Sequence, residues 1–334
     1  MRRCGYILTT VVMMIFLSVS CQRRPFAENR TMLSIALKID TAIVNHTQKK
    51  LPENMRVDLY DCVTSQLVFT DYVGPEGGVI HPVPGTYNLL IYSIDAESTI
   101  VHKEQSFNTI EAYVNEVSSY LKSQMAQFLS KRKAAAKERI TKNPDQYAEQ
   151  PVVNQPDHIF VGSYDNLFIP VSYEDERVEE VYIEVTAQSL VESWNVEIRN
   201  VEGSQWIREV VSLVSGQKGS VLMGPDTASD RIVSVFFEMS LEENQDGGKC
   251  LKGKYNTFGK YPGNEESVNI DLSVRDRGGG EQIFHFDVTD KIENNKQRYI
   301  LIEEPLVIEE NGSSGGGFLP VVDEWDNVNT DINL

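Results

Sequence analysis

The chain has 334 residues and only four cysteines. Cys4 lies inside an apolar leader, Cys21 closes it, and Cys62 and Cys250 stand far apart. Without a Cys-x-x-Cys or a cysteine–histidine cluster, no structural zinc site is expected and no metal ligand is assigned. The five histidines, His46, His81, His102, His158 and His285, are scattered and form no His-Glu-x-x-His. His285, between Phe284 and Phe286, is expected at a solvent-facing alternate strand position. No Gly-x-Ser-x-Gly elbow, P-loop or dinucleotide glycine fingerprint is present. The acidic runs Glu174-Asp175-Glu176 and Asp323-Glu324-Trp325-Asp326 read as solvated charge rather than calcium sites. The expectation is therefore a protein that is not an enzyme and carries no cofactor.

Basic charge is also scarce. Lysine and arginine number 31 against 49 acidic residues, a net charge of −18, which becomes −20 once Arg2 and Arg3 are removed. So acidic a surface repels phosphate backbones, and nucleic acid is not expected as a partner. It also repels anionic headgroups, so attachment to a membrane has to come from lipid. Beyond the leader, no hydrophobic run is long enough to cross a bilayer.

What is present begins with that leader. Arg2 and Arg3 precede an apolar stretch from Tyr6 to Val19, and Leu17-Ser18-Val19-Ser20-Cys21 closes it. This resembles the bacterial lipoprotein signal, in which the cysteine is lipidated and becomes the mature N-terminus. It implies a signal peptide over 1–20, lipid on Cys21 and a polar tether over 21–30.

The body reads as β-rich. Leu33, Ile35, Leu37 and Ile39 alternate with polar or small residues. Met55 to Asp61, Leu67 to Val73 and Thr86 to Asp95 are further strands, separated by Gly74-Pro75-Glu76-Gly77-Gly78 and Pro84-Gly85. Short strands with tight turns imply an antiparallel sandwich over 31–149. Within it, Ile110, Val114, Val117, Leu121, Met125 and Phe128 recur at helical spacing and predict a helix over about 108–142. Pro151 and Pro156 mark a linker at 150–157, and a second sandwich follows over 158–310. With Cys62 and Cys250 in different predicted domains, two separate buried thiols are expected over a disulfide. A Gly/Ser linker opens the tail, 311–334, in which Val328, Thr330, Ile332 and Leu334 alternate strictly. A strand on such a leash can complete its own sheet or a neighbour's.

Several of these stretches carry a family resemblance. Met55-Arg56-Val57-Asp58-Leu59-Tyr60-Asp61, Val73-Gly74-Pro75-Glu76-Gly77-Gly78 and Pro84-Gly85-Thr86-Tyr87 resemble the first domain of fimbrillin-like lipoproteins of Bacteroidales. Phe286-Asp287-Val288-Thr289-Asp290 and the Gly315-to-Trp325 tail are similar to that family's C-terminal half. The resemblance implies a mainly β protein of two tandem transthyretin-like β-sandwich domains, with one helix after the main strands of the first. It implies a lipid-anchored fimbrial anchor, accessory or structural subunit at the outer membrane, its partners being other fimbrial subunits or itself. Association would be by strand addition. Val328, Thr330, Ile332 and Leu334 form the candidate inserting strand, and Leu33, Ile35, Leu37 and Ile39 the candidate displaceable one. No protease loop around a single arginine is evident in the first domain, which favours a lipid-retaining member. Gln22-Arg23-Arg24-Pro25 is not acidic, so the face of the outer membrane stays open. Thr41 and Thr227, each in Asp-Thr-Ala, match an O-glycosylation pattern. The alternative function is a surface module binding glycans or host proteins through exposed aromatics such as Trp194, Trp206 or Trp325.

Overall fold

A computed structural model describes residues 31–47, 50–138, 149–171, 180–244, 247–262 and 268–310. The protein is mainly β. In chain order the strands are β1 Met32–Ile39, β2 Met55–Asp61, β3 Leu67–Val73, β4 Gly77–Ile80, β5 Gly85–Ser93, β6 Thr99–His102 and β7 Glu111–Val114. They continue as β8 Val152–Val153, β9 Phe160–Ile169, β10 Glu180–Ser189, β11 Glu192–Ile198, β12 Val201–Glu202, β13 Ile207–Lys218 and β14 Ser220–Leu222. The last are β15 Thr227–Ala228, β16 Ile232–Glu243, β17 Lys249–Thr257, β18 Asn269–Asp276, β19 Glu281–Asp287, β20 Tyr299–Ile302 and β21 Leu306–Val307. The helices are α1 Ser119–Gln124, α2 Ala126–Glu138 and α3 Thr289–Ile292.

The chain forms two compact units, each gathered from separate stretches. The first comprises Met1–Tyr113, Asp157–Val191 and Ser220–Ser229; the second comprises Val114–Pro156, Glu192–Gly219 and Asp230–Leu334. This differs from the division expected from sequence, which places all of 158–310 in a second sandwich. β10 aligns in parallel with β1 along its whole length, from Met32↔Glu180 to Ile39↔Ala187. Parallel neighbours need a long crossover, and alternation within a strand does not name its partner.

In the first unit the sheet order is β3-β2-β5-β9-β10-β1-β4. β9 and β10 share only two pairs, Val161↔Gln188 and Phe160↔Ser189. The sheet turns a corner there, so β3-β2-β5-β9 and β10-β1-β4 become two layers. The outer strands β3 and β4 are joined by a tight turn in which Gly77 N–H donates to the Gly74 carbonyl at 3.0 Å. The curled sheet encloses one core, in which Leu33, Ile35 and Leu37 meet Val57, Leu59, Leu89, Ile91, Phe160, Ile183 and Val185.

The other face of the first layer is covered over its middle, while Tyr72 and Phe168 on it are exposed. Tyr60, Leu90 and Tyr92 are buried there, and Tyr60 packs edge-on against Phe107 at 5.5 Å. A small sheet of order β15-β14-β7-β6 belongs to the same unit.

In the second unit the sheet order is β19-β18-β13-β16-β17-β11-β20, with β8 against β16. A tight turn follows β18, with Asp276 N–H donating to the Gly280 carbonyl at 2.9 Å. The expected helix over 108–142 is corrected on two counts. Glu111 to Val114 form β7, paired with β14, because a short apolar run satisfies strand and helix periodicity alike. The helix begins after Ser118, whose Oγ accepts from Leu121 N–H at 3.2 Å, and it lies in the second unit. Met125, Phe128 and Arg132 share one helical face. Met125 and Phe128 pack with Val117, Val152, Val211 and Leu213.

Candidate functional site: the first strand and its seat

β1 has the sequence MLSIALKI, and its side chains divide cleanly. Leu33 is 0%, Ile35 4% and Leu37 9% exposed; Ile39 is half-buried at the end of the strand. Ser34, Ala36 and Lys38 face outward. The strand is flanked on both sides, in parallel by β10 and antiparallel by β4, from Leu33↔Ile80 to Ala36↔Gly77. Its ends are fastened too. Thr31 Oγ1 donates to the Pro170 carbonyl at 2.6 Å, and Asp40 N–H donates to the Ala187 carbonyl at 2.8 Å. Leu37 N–H donates to the Glu76 carbonyl at 3.0 Å.

Gly77 makes the β4 approach possible. Its φ is +101°, and a Cβ there would lie 1.9 Å from the Ile35 carbonyl oxygen. Each fully buried aliphatic of β1 contributes roughly 2 kcal/mol. Taking the strand away would expose a slot between β10 and β4 with four seats two residues apart. Its floor is the remaining core of the first unit.

The structure thus brings the four residues of the candidate displaceable strand together on one buried face. Thr41, which follows the strand directly, and Thr227, on β15, are both exposed. Cys21, Trp325 and the candidate inserting strand Val328, Thr330, Ile332 and Leu334 lie outside the described residues. Trp194 is a core residue, 5% exposed, stacked parallel to Tyr255 at 6.4 Å, so it does not offer a binding platform. Trp206 is half-buried. Cys62 and Cys250 are free thiols in different units.

Two polar networks escape a sequence reading. In the first unit the buried Asp58 carboxylate accepts from Arg56 Nε at 3.0 Å, Thr70 Oγ1 at 2.7 Å, Tyr92 Oη at 3.1 Å and Tyr60 Oη at 3.4 Å. Burial and the Asp58 charge push both tyrosines well above their ordinary pKa. Burial alone would lower Arg56, but its bonds to Asp58 and Glu104 more than reverse that. In the second unit Arg132, 1% exposed on α2, donates from Nε to Asp271 Oδ2 at 2.7 Å and from Nη2 to Ser234 Oγ at 2.8 Å. The other Asp271 oxygen meets His285 Nδ1. The expected solvent-facing position of His285 is therefore corrected: its side chain is 12% exposed. Asp271 is its direct cross-strand partner on β18, and β19 is also held by α2, where Lys131 Nζ donates to the Glu281 carbonyl at 2.9 Å. A charged residue alternating with apolar ones reads as solvent-facing whenever the cover comes from elsewhere in the chain.

Among the described residues, no group of three or more His, Cys, Asp or Glu is placed to hold a metal ion. Among them, too, no helix is long and apolar enough to cross a membrane.

The mainly β fold with curled sheets is shared with solved structures of adhesin-like proteins. A candidate adhesin from Bacteroides ovatus has this fold, with a TM-score of 0.60 at 18% identity, covering 88% of this chain and 98% of that one. The fimbrial anchor protein of Porphyromonas gingivalis aligns with a TM-score of 0.47 at 11% identity, over 80% of this chain and 87% of that one. The chain belongs to the family described as a domain of unknown function, DUF5119, which matches residues 20–238. A curated relative, a candidate fimbrium anchoring subunit of Bacteroides ovatus, is 21% identical over 246 residues. That match covers 73% of this chain and spans 64% of the relative's length. The resemblance to Bacteroidales fimbrillin-like proteins read from the sequence agrees with these relatives.

Proposed function

We propose that this protein is a non-enzymatic, lipid-anchored component of a fimbria-like assembly at the outer membrane, an anchor or accessory subunit that associates by strand addition. The observation that carries the reading is the seat of β1. It holds four inward positions two residues apart, and the tail presents Val328, Thr330, Ile332 and Leu334 at the same spacing. Backbone groups of β10 and β4 would supply the hydrogen bonds, and the pockets would select alternate side chains. The fimbrium anchoring name of the curated relative supports the same role. The two units correspond, on this reading, to two transthyretin-like sandwiches whose strands are interleaved along the chain. Lipid on Cys21 supplies the anchor, and Thr41 and Thr227 are exposed as glycosylation would require.

Volume and burial favour one orientation for the incoming strand. Run in the same direction as β1, it puts the Thr330 hydroxyl into the Ile35 seat, which is 4% exposed, at a cost of roughly 1–3 kcal/mol for an unpaired hydroxyl. Run in reverse, Leu334 fills the Leu33 seat, Ile332 the Ile35 seat, Thr330 the Leu37 seat and Val328 the half-buried Ile39 seat. The two most buried seats then receive like for like. The inserted strand is accordingly antiparallel to β10.

Two changes test the role in cells. Cys21→Ala should move the protein from the membrane to the soluble fraction. Removal of residues 311–334 should abolish its co-purification with fimbrial subunits. Unchanged co-purification would reject strand addition by the tail, and retention of Cys21→Ala on the membrane would reject the lipid anchor.

A further inference from the structure

The first unit contains a cavity of about 250 Å³ that is separate from the seat of β1. It lies on the other face of the first layer, because Arg56 and Tyr92 alternate with the core residues Val57 and Ile91. Ile94, Ile100, Val101 and Ile159 give it aliphatic walls, and Arg56, Glu97 and Glu104 give it polar ends.

The polar end is built in advance. Asp58 holds Arg56 through Nε at 3.0 Å, and Glu104 Oε2 holds Nη1 at 2.7 Å. The guanidinium also sits 5.7 Å from the centre of the Tyr92 ring. Asp58 is itself fixed by Thr70, Tyr60 and Tyr92. Arg56 Nη2, Glu104 Oε1 and the Glu97 carboxylate make no hydrogen bond among the described residues. The cavity therefore offers one donor fixed in place and two acceptor groups beside an apolar wall.

Charge narrows the ligand. One arginine stands against Asp58, Glu97 and Glu104, so the site is net negative and disfavours phosphate, sulfate or carboxylate ligands. A lysine side chain would answer the carboxylates but would place an ammonium beside the guanidinium and leave Nη2 without an acceptor. A neutral vicinal diol answers both: one hydroxyl accepts from Arg56 Nη2 and its neighbour donates to Glu104. The C–H face of a pyranose ring suits the Ile94 and Ile100 wall. The volume lies just below the usual range for small-molecule sites, about 300–1,000 Å³, so it takes a single residue rather than a chain. We infer that this cavity binds one neutral hexose residue, at the end or a branch of a glycan, in a manner independent of strand addition.

The test uses the purified full chain and a panel of methyl hexosides (gluco, galacto and manno, both anomers), read by saturation-transfer NMR. At least one should bind, with a Kd on the order of 1–10 mM, as expected for a ligand of about a dozen heavy atoms. N-acetylneuraminic acid, which is anionic, should not bind. Ala96→Phe fills the cavity from a half-buried position without touching the Asp58 network, and should abolish the signal while leaving the melting temperature unchanged. Glu104→Gln keeps shape and should weaken binding at least about five-fold, the loss expected for one hydrogen bond to a charged group. The proposal is overturned if no hexoside shows transfer to the folded protein, if Ala96→Phe binds as well as wild type, or if N-α-acetyl-lysine methylamide binds more tightly than every hexoside.

Discussion

Glu111 shows how a single carboxylate ties local structure to pH. It sits on β7, 7% exposed, and accepts from Lys103 Nζ at 2.7 Å and His102 Nε2 at 2.8 Å. Burial by itself would raise its pKa, but the bonds from Lys103, Ser220 and His102 outweigh that and bring it from 4.5 to about 2. A carboxyl held below its unfolded value contributes stability above about 4.5 that is lost as pH falls towards about 2. Lys103 is 56% exposed, so solvent screening trims the contribution to about 1–2 kcal/mol. Thermal melts should show wild type losing this increment across that window, while Glu111→Gln starts lower at neutral pH and changes less. Parallel pH profiles for the two proteins would remove Glu111 from the account. The Arg132–Asp271 pair works differently, since both partners are buried. Asp271→Asn leaves a buried guanidinium without its counter-charge and should cost about 3–5 kcal/mol in urea unfolding. The double change Arg132→Met with Asp271→Leu should recover most of that loss, because the desolvation of both charges disappears with them. A double variant no more stable than Asp271→Asn would show that the pair does more than offset its own burial.

At the scale of elements, alternation is enough to find β1, and the runs Met55 to Asp61 and Leu67 to Val73 place β2 and β3. β13 and β17 were not distinguished. β13 carries Ser212, Ser215 and Gly216 among its valines, and β17 is mostly polar, so neither shows a clear period of two. The seat of β1 was half legible. Its inward residues could be read directly, but its partner β10 could not, because nothing in Leu33, Ile35 or Leu37 encodes a neighbour that follows β1 by more than a hundred residues. Strand polarity in that seat can be tested with a chain lacking Met32–Ile39 and synthetic peptides of residues 326–334. In the reversed orientation Leu334 enters the fully buried Leu33 seat, so Leu334→Asp should weaken capture more than about 100-fold, whereas Val328→Asp at the half-buried end should cost less than about ten-fold. The opposite ranking, read by fluorescence anisotropy, would mean the strand enters parallel to β10.

For the whole molecule, the chain passes from one unit to the other at 113/114, 156/157, 191/192, 219/220 and 229/230. Neither unit is a continuous segment, and this changes what a truncation can do. A fragment of residues 31–149 retains β1 to β7 but lacks β9 and β10. β5 then loses its neighbour on one side and β1 loses its parallel neighbour altogether. The core that holds Leu33, Ile35 and Leu37 loses Phe160, Leu167, Ile169, Ile183, Val185 and Ala187. At roughly 2 kcal/mol for each large aliphatic or aromatic side chain, that loss is about 10 kcal/mol, comparable to the whole 5–15 kcal/mol by which domains are usually stable. A fragment of residues 158–310 fails for the complementary reason. It keeps the sheet of the second unit but loses Met125, Phe128, Arg132 and β8, which cover one face of β13 and β16 and neutralise Asp271. Each fragment expressed alone should therefore melt without a cooperative transition by circular dichroism, and each should exchange its amide protons within the dead time of the measurement. The full chain should melt cooperatively under the same conditions. A cooperative transition in the fragment 31–149 would mean that β1 finds a stable seat without β10, and the slot through which strand addition is proposed would then have to be redrawn with β4 as its one wall.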